Sequence, residues 1–156
     1  MKKCVVYYSM SGNTEKVALK IKERTDCDLV RLTPKDPYPD KGLKKFLWGG
    51  KSALMAEYPE LEAYDFDASK YDTVIFGTPV WASCFTPPLR TFVSQNKEDL
   101  KTKKTAAYVC YMGSGAASAM KKLNEILGDS LEKQLILKDS QIDSCENEID
   151  TFLQGL

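Results

Sequence analysis

Apolar and polar positions alternate along this chain in a repeating order of short apolar runs and longer amphipathic stretches. The first run, Lys3–Tyr8, is almost wholly apolar and reads as a strand buried on both faces. Asn13–Thr25 follows with Val17, Ala18 and Ile21 at helical spacing. Asp28–Leu32 is a second short strand. Thr33-Pro34-Lys35-Asp36-Pro37-Tyr38-Pro39 then breaks regular structure. The stretch Gly42–Leu54 has helical character interrupted by Gly49-Gly50, and Pro59 with the acidic run Glu60–Asp67 closes an irregular insert.

Thr73-Val74-Ile75-Phe76 is a strongly apolar strand that opens into a loop over Gly77–Thr86. Pro87-Pro88 suits the first turn of a helix whose core face is Leu89, Phe92 and Val93. Lys104–Tyr111 is the fourth strand, and Met112-Gly113-Ser114-Gly115 is its exit turn. A helix over Ala116–Leu127 stops at Gly128. Leu135-Ile136-Leu137 is the fifth strand, and Cys145–Leu153 is a last helix with Ile149, Phe152 and Leu153 on its apolar side. Strands alternating with helices predict one α/β domain over residues 1–156, with a parallel sheet covered on both faces and right-handed crossovers.

Ligands on such sheets bind beyond the carboxyl ends of the strands. Three segments follow strands and therefore share one rim. Ser9-Met10-Ser11-Gly12-Asn13-Thr14 combines hydroxyls, one Gly and a helix start, a combination that grips a phosphate through N–H and O–H donors. The alternative is an ordinary capped helix with Ser11 or Asn13 near the cap. Thr78-Pro79-Val80-Trp81-Ala82 puts an aromatic ring beside that turn, either to cover core or to stack on a planar ligand. Met112-Gly113-Ser114-Gly115 is small enough to present backbone donors to a heterocycle. Phosphate at the first turn and a flat ring between the other two describe flavin mononucleotide (FMN).

Composition narrows the chemistry. The 156 residues contain 22 basic and 22 acidic side chains, so nothing draws the chain to nucleic acid or an anionic membrane. The absence of histidine excludes His-based acid–base catalysis and serine–histidine triads. The turn lacks the second Gly and the Lys of a P-loop, and also G-x-G-x-x-G, so nucleotide hydrolysis and a conventional dinucleotide fingerprint are not expected. Five dispersed cysteines suit a reducing cytosol, no metal site is expected, and Met1-Lys2-Lys3 runs straight into a strand with no leader pattern. Cys4, Cys27 and Cys110 fall in or beside strands and read as core. Cys84 lies near the expected ring, with no mark of an activated thiolate.

The chain resembles the short-chain members of the flavodoxin-like family. The resemblance is carried by Val5-Val6-Tyr7-Tyr8-Ser9-Met10-Ser11-Gly12-Asn13-Thr14, by Tyr71–Trp81 and by the helix start Pro87–Val93, and the order of elements follows the family over nearly the whole length. It implies a three-layer sandwich with a five-stranded parallel sheet in the order 2-1-3-4-5. It also implies FMN held by Ser9, Met10, Ser11, Gly12, Asn13 and Thr14 at the phosphate. Thr78, Pro79, Val80, Trp81 and Ala82 would border the isoalloxazine, with Trp81 stacked, and Met112, Gly113, Ser114 and Gly115 would close the pyrimidine side. No catalytic side chain is implied, because the flavin carries the chemistry.

The chain departs from the electron-carrier members in two ways. It is neutral where they are strongly acidic, and Met112–Gly115 carries neither the aromatic residue nor the acids common in the loop after the fourth strand. Less negative charge beside the ring favours the reduced, anionic flavin. The expectation is therefore a cytoplasmic flavoprotein oxidoreductase taking electrons from NAD(P)H and passing them to a quinone or similar small acceptor. The alternatives are an electron-transfer carrier between redox protein partners, and a non-redox phosphate-ligand or protein-binding module. Phe46, Trp48, Gly49 and Gly50 of the insert could reach the flavin or a partner subunit, although covering sheet and helix is the better reading.

Overall fold

The computed structural model describes residues 1–39 and 56–156. The expected helical stretch Gly42–Leu54, with Phe46, Trp48, Gly49 and Gly50, lies outside the described residues. Five strands, β1 (Lys3–Tyr7), β2 (Asp28–Arg31), β3 (Thr73–Pro79), β4 (Lys104–Tyr111) and β5 (Leu131–Lys138), form one parallel sheet in the order β2-β1-β3-β4-β5. The helices are α1 (Asn13–Thr25), α2 (Pro87–Gln95), α3 (Lys97–Leu100), α4 (Ala116–Ile126) and α5 (Glu146–Leu153), with 3-10 turns at Ala68–Lys70 and Asp139–Ser144.

Side chains alternate across the sheet and seed a core on each face. Cys4, Val6, Val74, Phe76, Ala107 and Val109 point to one side, where Leu89 and Phe92 of α2 and Met120 and Leu123 of α4 cover them. Val5, Tyr7, Ile75, Ala106, Tyr108 and Cys110 point to the other, against Val17, Ala18 and Ile21 of α1 and Ile149 and Phe152 of α5. Each large apolar side chain so buried stabilises the fold by about 1.5–3 kcal/mol. On the outside of the second layer, Lys16, Lys20 and Arg24 of α1 pair with Asp143, Glu146 and Asp150 in turn. These ion pairs orient α1 against α5 and the 3-10 turn before it, and are each worth at most about 1 kcal/mol.

Two elements differ from the sequence expectation. The third strand continues through Gly77, Thr78 and Pro79, which pair with Tyr108, Val109 and Cys110, so the loop begins at Val80 and not at Gly77. Gly77 belongs in the strand because Tyr108 lies against it: a Cβ there would sit 2.2 Å from the Tyr108 hydroxyl oxygen. The fifth strand begins at Leu131, four residues before Leu135. Glu132, Lys133 and Gln134 are exposed on this sheet edge, and a register irregularity opposite Thr105 and Ala106 breaks the ladder. A polar edge strand of this kind shows no apolar run.

Candidate functional site

The carboxyl ends of the strands border a cleft of about 390 Å³. Its lining takes Met10, Ser11, Asn13 and Thr14 from the turn after β1. Pro79, Val80, Trp81 and Ala82 come from the end of β3, and Met112, Gly113 and Ser114 from the turn after β4. The three segments expected to share a rim thus face one space. Cys110, which the sequence marks as core, also lines it, as do Tyr111 and Asp139, for which the sequence offers no role.

Ser9, Gly12, Thr78 and Gly115 are absent from the lining and act behind it. The buried Ser9 hydroxyl accepts from the N–H groups of Gly12 (3.2 Å) and Glu15 (3.3 Å), which folds the turn on itself. Gly12 occupies the N-cap of α1 with φ 96°, a left-handed conformation that a side chain disfavours. The N-cap residue has no side chain, and the Ser9 hydroxyl takes the Glu15 N–H in its place, so neither Ser11 nor Asn13 caps the helix. Thr78 Oγ1 lies 3.0 Å from Thr86 Oγ1 and accepts from the Thr86 N–H (3.0 Å), fixing the start of α2. Gly115 holds the N-cap of α4 at φ 88°.

The first turn is open to an anion. Among the described residues, no hydrogen bond engages the N–H groups of Ser11, Asn13 and Thr14; Asn13 and Thr14 begin α1 at its positive dipole end, and Ser11 precedes the cap. Glu15 in the first helical turn would oppose an anion there. Its carboxylate instead accepts from Arg31 Nη1 (2.7 Å) and from the Tyr7 hydroxyl (3.2 Å). Arg31 also reaches toward the Ser9 carbonyl (3.5 Å), so the charge of Glu15 is balanced beside the turn.

The Trp81 side of the cleft is aromatic. Trp81 meets Tyr8 edge to face at 5.5 Å and Tyr38 at 5.2 Å, which fixes the plane of its indole. Tyr111 stands at the end of β4, so the strand itself supplies the aromatic residue that Met112–Gly115 lacks. Asp139 is the acidic residue among the lining side chains, which include no Lys or Arg. The Cys110 thiol is pushed up to about 12 by burial, with a hydrogen bond from Thr14 partly opposing the shift, so it stays protonated at neutral pH. Cys84 is buried beneath the Trp81 loop with its sulfur 3.6 Å from Arg90 Nη2.

Known proteins share this fold. The sequence profile of the family described as Flavodoxin matches residues 2–151. The chain belongs to the flavodoxin family. A flavoprotein from Lactobacillus acidophilus NCFM, solved in complex with FMN, is 25% identical with a TM-score of 0.74, over 91% of this chain and 96% of that one. A candidate flavoprotein from Bacteroides eggerthii shares 21% identity and a TM-score of 0.72, over 96% of this chain and 98% of that one. A flavodoxin from the domain Archaea shares 18% identity and a TM-score of 0.56, over 97% and 96%. No curated protein matches the chain. Those structures share the fold of this flavodoxin-family chain, whose own sheet runs β2-β1-β3-β4-β5. Among its described residues, no helix is long and apolar enough to cross a membrane.

Proposed function

We propose that this flavodoxin-family protein binds FMN in the rim cleft and works as an NAD(P)H-dependent reductase of a quinone or similar small acceptor. The observation that carries the reading is one cleft joining three unengaged N–H groups at the start of α1 to an aromatic wall at Trp81 and Tyr111. Its volume falls within the range of small-molecule cofactor sites. The residues present fit the group. Ser11, Asn13 and Thr14 would hold the phosphate with neutral donors, Trp81 would stack on the ring, and the Met112–Ser114 backbone would meet the pyrimidine edge. When bound, FMN supplies the electron transfer.

The chain's own side chains bind, orient and exclude water. Trp81, held by Tyr8 and Tyr38, sets the plane of the wall. Arg31 cancels the charge of Glu15 near the phosphate end. A single acid, Asp139, among the lining residues leaves little negative charge to oppose a reduced anionic ring, which supports the reductase over the carrier. Anaerobic mixing of the FMN-loaded protein with NADH and with NADPH tests this. Bleaching of the flavin absorbance by either nucleotide supports the reductase; bleaching by neither overturns it. A carrier between protein partners is the second reading, favoured by Met112, which lines the cleft and is 65% exposed.

A further inference from the structure

The turn that presents Trp81 does not choose its own shape. The N–H of Trp81 donates to the Cys84 carbonyl and the N–H of Cys84 donates to the Trp81 carbonyl, each at 2.9 Å. Between them, Ala82 and Ser83 both lie in the left-handed region, with φ 47° and 58°. Two successive left-handed residues suit Asn-Gly, and L-residues such as Ala and Ser disfavour the conformation. The surroundings must therefore hold it.

Helices on either side do so. From α4, Lys122 Nζ donates to the Ser83 carbonyl at 3.1 Å, and among the described residues Lys122 pairs with no carboxylate. At the start of the same helix, Gly115 approaches so closely that a Cβ there would lie 2.8 Å from Ser83 Cα. From α2, Arg90 lies over the Phe85 ring at 4.4 Å and reaches the Cys84 sulfur. Lys122 is the one of these contacts that grips the carbonyl of a left-handed residue, and Trp81 and Ala82 on the same turn line the cleft.

We propose that Lys122 is a positioning residue for the cofactor cleft: its ammonium holds the Ser83 carbonyl and so fixes the left-handed turn that presents Trp81 and Ala82. This inference rests on the FMN reading of the cleft. The chain thereby spends a charge from the second turn of α4 on the wall of a site that Lys122 does not itself line.

The test uses Lys122→Met, which keeps the apolar stem, and Lys122→Arg, which keeps the donor. In Lys122→Met, amide exchange at Trp81 and Cys84 of the apoprotein accelerates about tenfold, the loss of one charge-assisted hydrogen bond. The FMN dissociation constant rises by about the same factor, and Lys122→Arg restores both readouts. Unchanged exchange at these two amides overturns the inference. So does faster exchange with unchanged FMN affinity, because the turn would then not shape the cleft. A wild-type protein that binds no FMN overturns the cofactor reading instead, and the exchange of the apoprotein then decides the role of Lys122 alone.

Discussion

The hydroxyl of Tyr108, in the middle of β4, donates to the carbonyl of Thr14 at 2.9 Å, across 94 positions of sequence. Tyr108 is fully buried, and burial raises its phenol well above the usual tyrosine range, so it is a donor at neutral pH. The bond ties the central sheet to the first turn of α1, where the unengaged N–H groups lie. Tyr108→Phe removes the donor and keeps the ring. We expect a stability loss of about 1 kcal/mol in urea unfolding and a few-fold weaker grip on FMN, read by fluorescence titration. Gly77→Ala presses on the same ring, because its Cβ would lie 2.3 Å from Tyr108 Cζ. Overpacking of this kind costs about 1–3 kcal/mol.

Trp81 is held edge-on by Tyr8 and Tyr38, so it meets a ligand without first losing rotamer freedom. Trp81→Ala should weaken FMN by about 1–3 kcal/mol, as loss of stacking does for other planar bases, and shift the visible flavin spectrum toward that of free FMN. An unchanged dissociation constant would remove the stacking role and favour a module that binds a different phosphate ligand.

Gly115 meets two demands at once, a left-handed φ of 88° and contact with Ser83. Gly115→Ala would place its Cβ 2.3 Å from Ser83 Oγ. A loss of about 1–3 kcal/mol of stability is expected, accompanied by weaker FMN binding, because the displaced residue lies on the Trp81 turn. Gly113→Ala is the control for stability alone: nothing lies within 4 Å of its added Cβ, and Gly113 itself lines the cleft.

Stability should fall on the alkaline side. Burial pushes the thiols of Cys4 and Cys110 up to about 12 from a usual value of 9.0. Each is neutral when folded and ionises more readily when unfolded. Its contribution is full below the unfolded value and is lost as pH rises from about 9 toward 12. Acid behaves with the opposite sign. Asp28 and Glu146 are lowered first by hydrogen bonds from Lys2 and Lys20, so their contribution is present at neutral pH and lost as pH falls through the carboxylate range. Both carboxylates are exposed and screened, so the acid effect is the smaller one. Thermal midpoints from about pH 2 to pH 11 check both limbs. The same burial predicts slow reaction of Cys4 and Cys110 with thiol reagents until the protein unfolds.

Most of the architecture was legible because the central strands are apolar on both faces and the helices carry clear core stripes, as at Val17 and Ile21 or Leu89 and Phe92. The start of β5 was hidden because Glu132, Lys133 and Gln134 lie exposed at the sheet edge. The end of β3 was misread because Gly77 signals a loop in sequence while serving as space for Tyr108 in the fold. The rim position of the site followed from parallel-sheet topology, and the same rule applied to β5 would have pointed to Asp139, the residue after its carboxyl end. Tyr111, the last residue of β4, carried the same signal. The duties of Ser9 and Thr78 were less accessible. Hydroxyls that fold a turn and hydroxyls that meet a ligand look alike until their partners, Gly12, Glu15 and Thr86, are known.

The most direct test of the cofactor assignment is the visible spectrum of the protein after incubation with excess FMN and removal of free flavin by gel filtration. The account predicts flavin absorbance eluting with the protein at about one FMN per chain, with band positions shifted from those of free FMN by the Trp81 wall. A colourless protein peak, with all flavin in the small-molecule fraction, would contradict it.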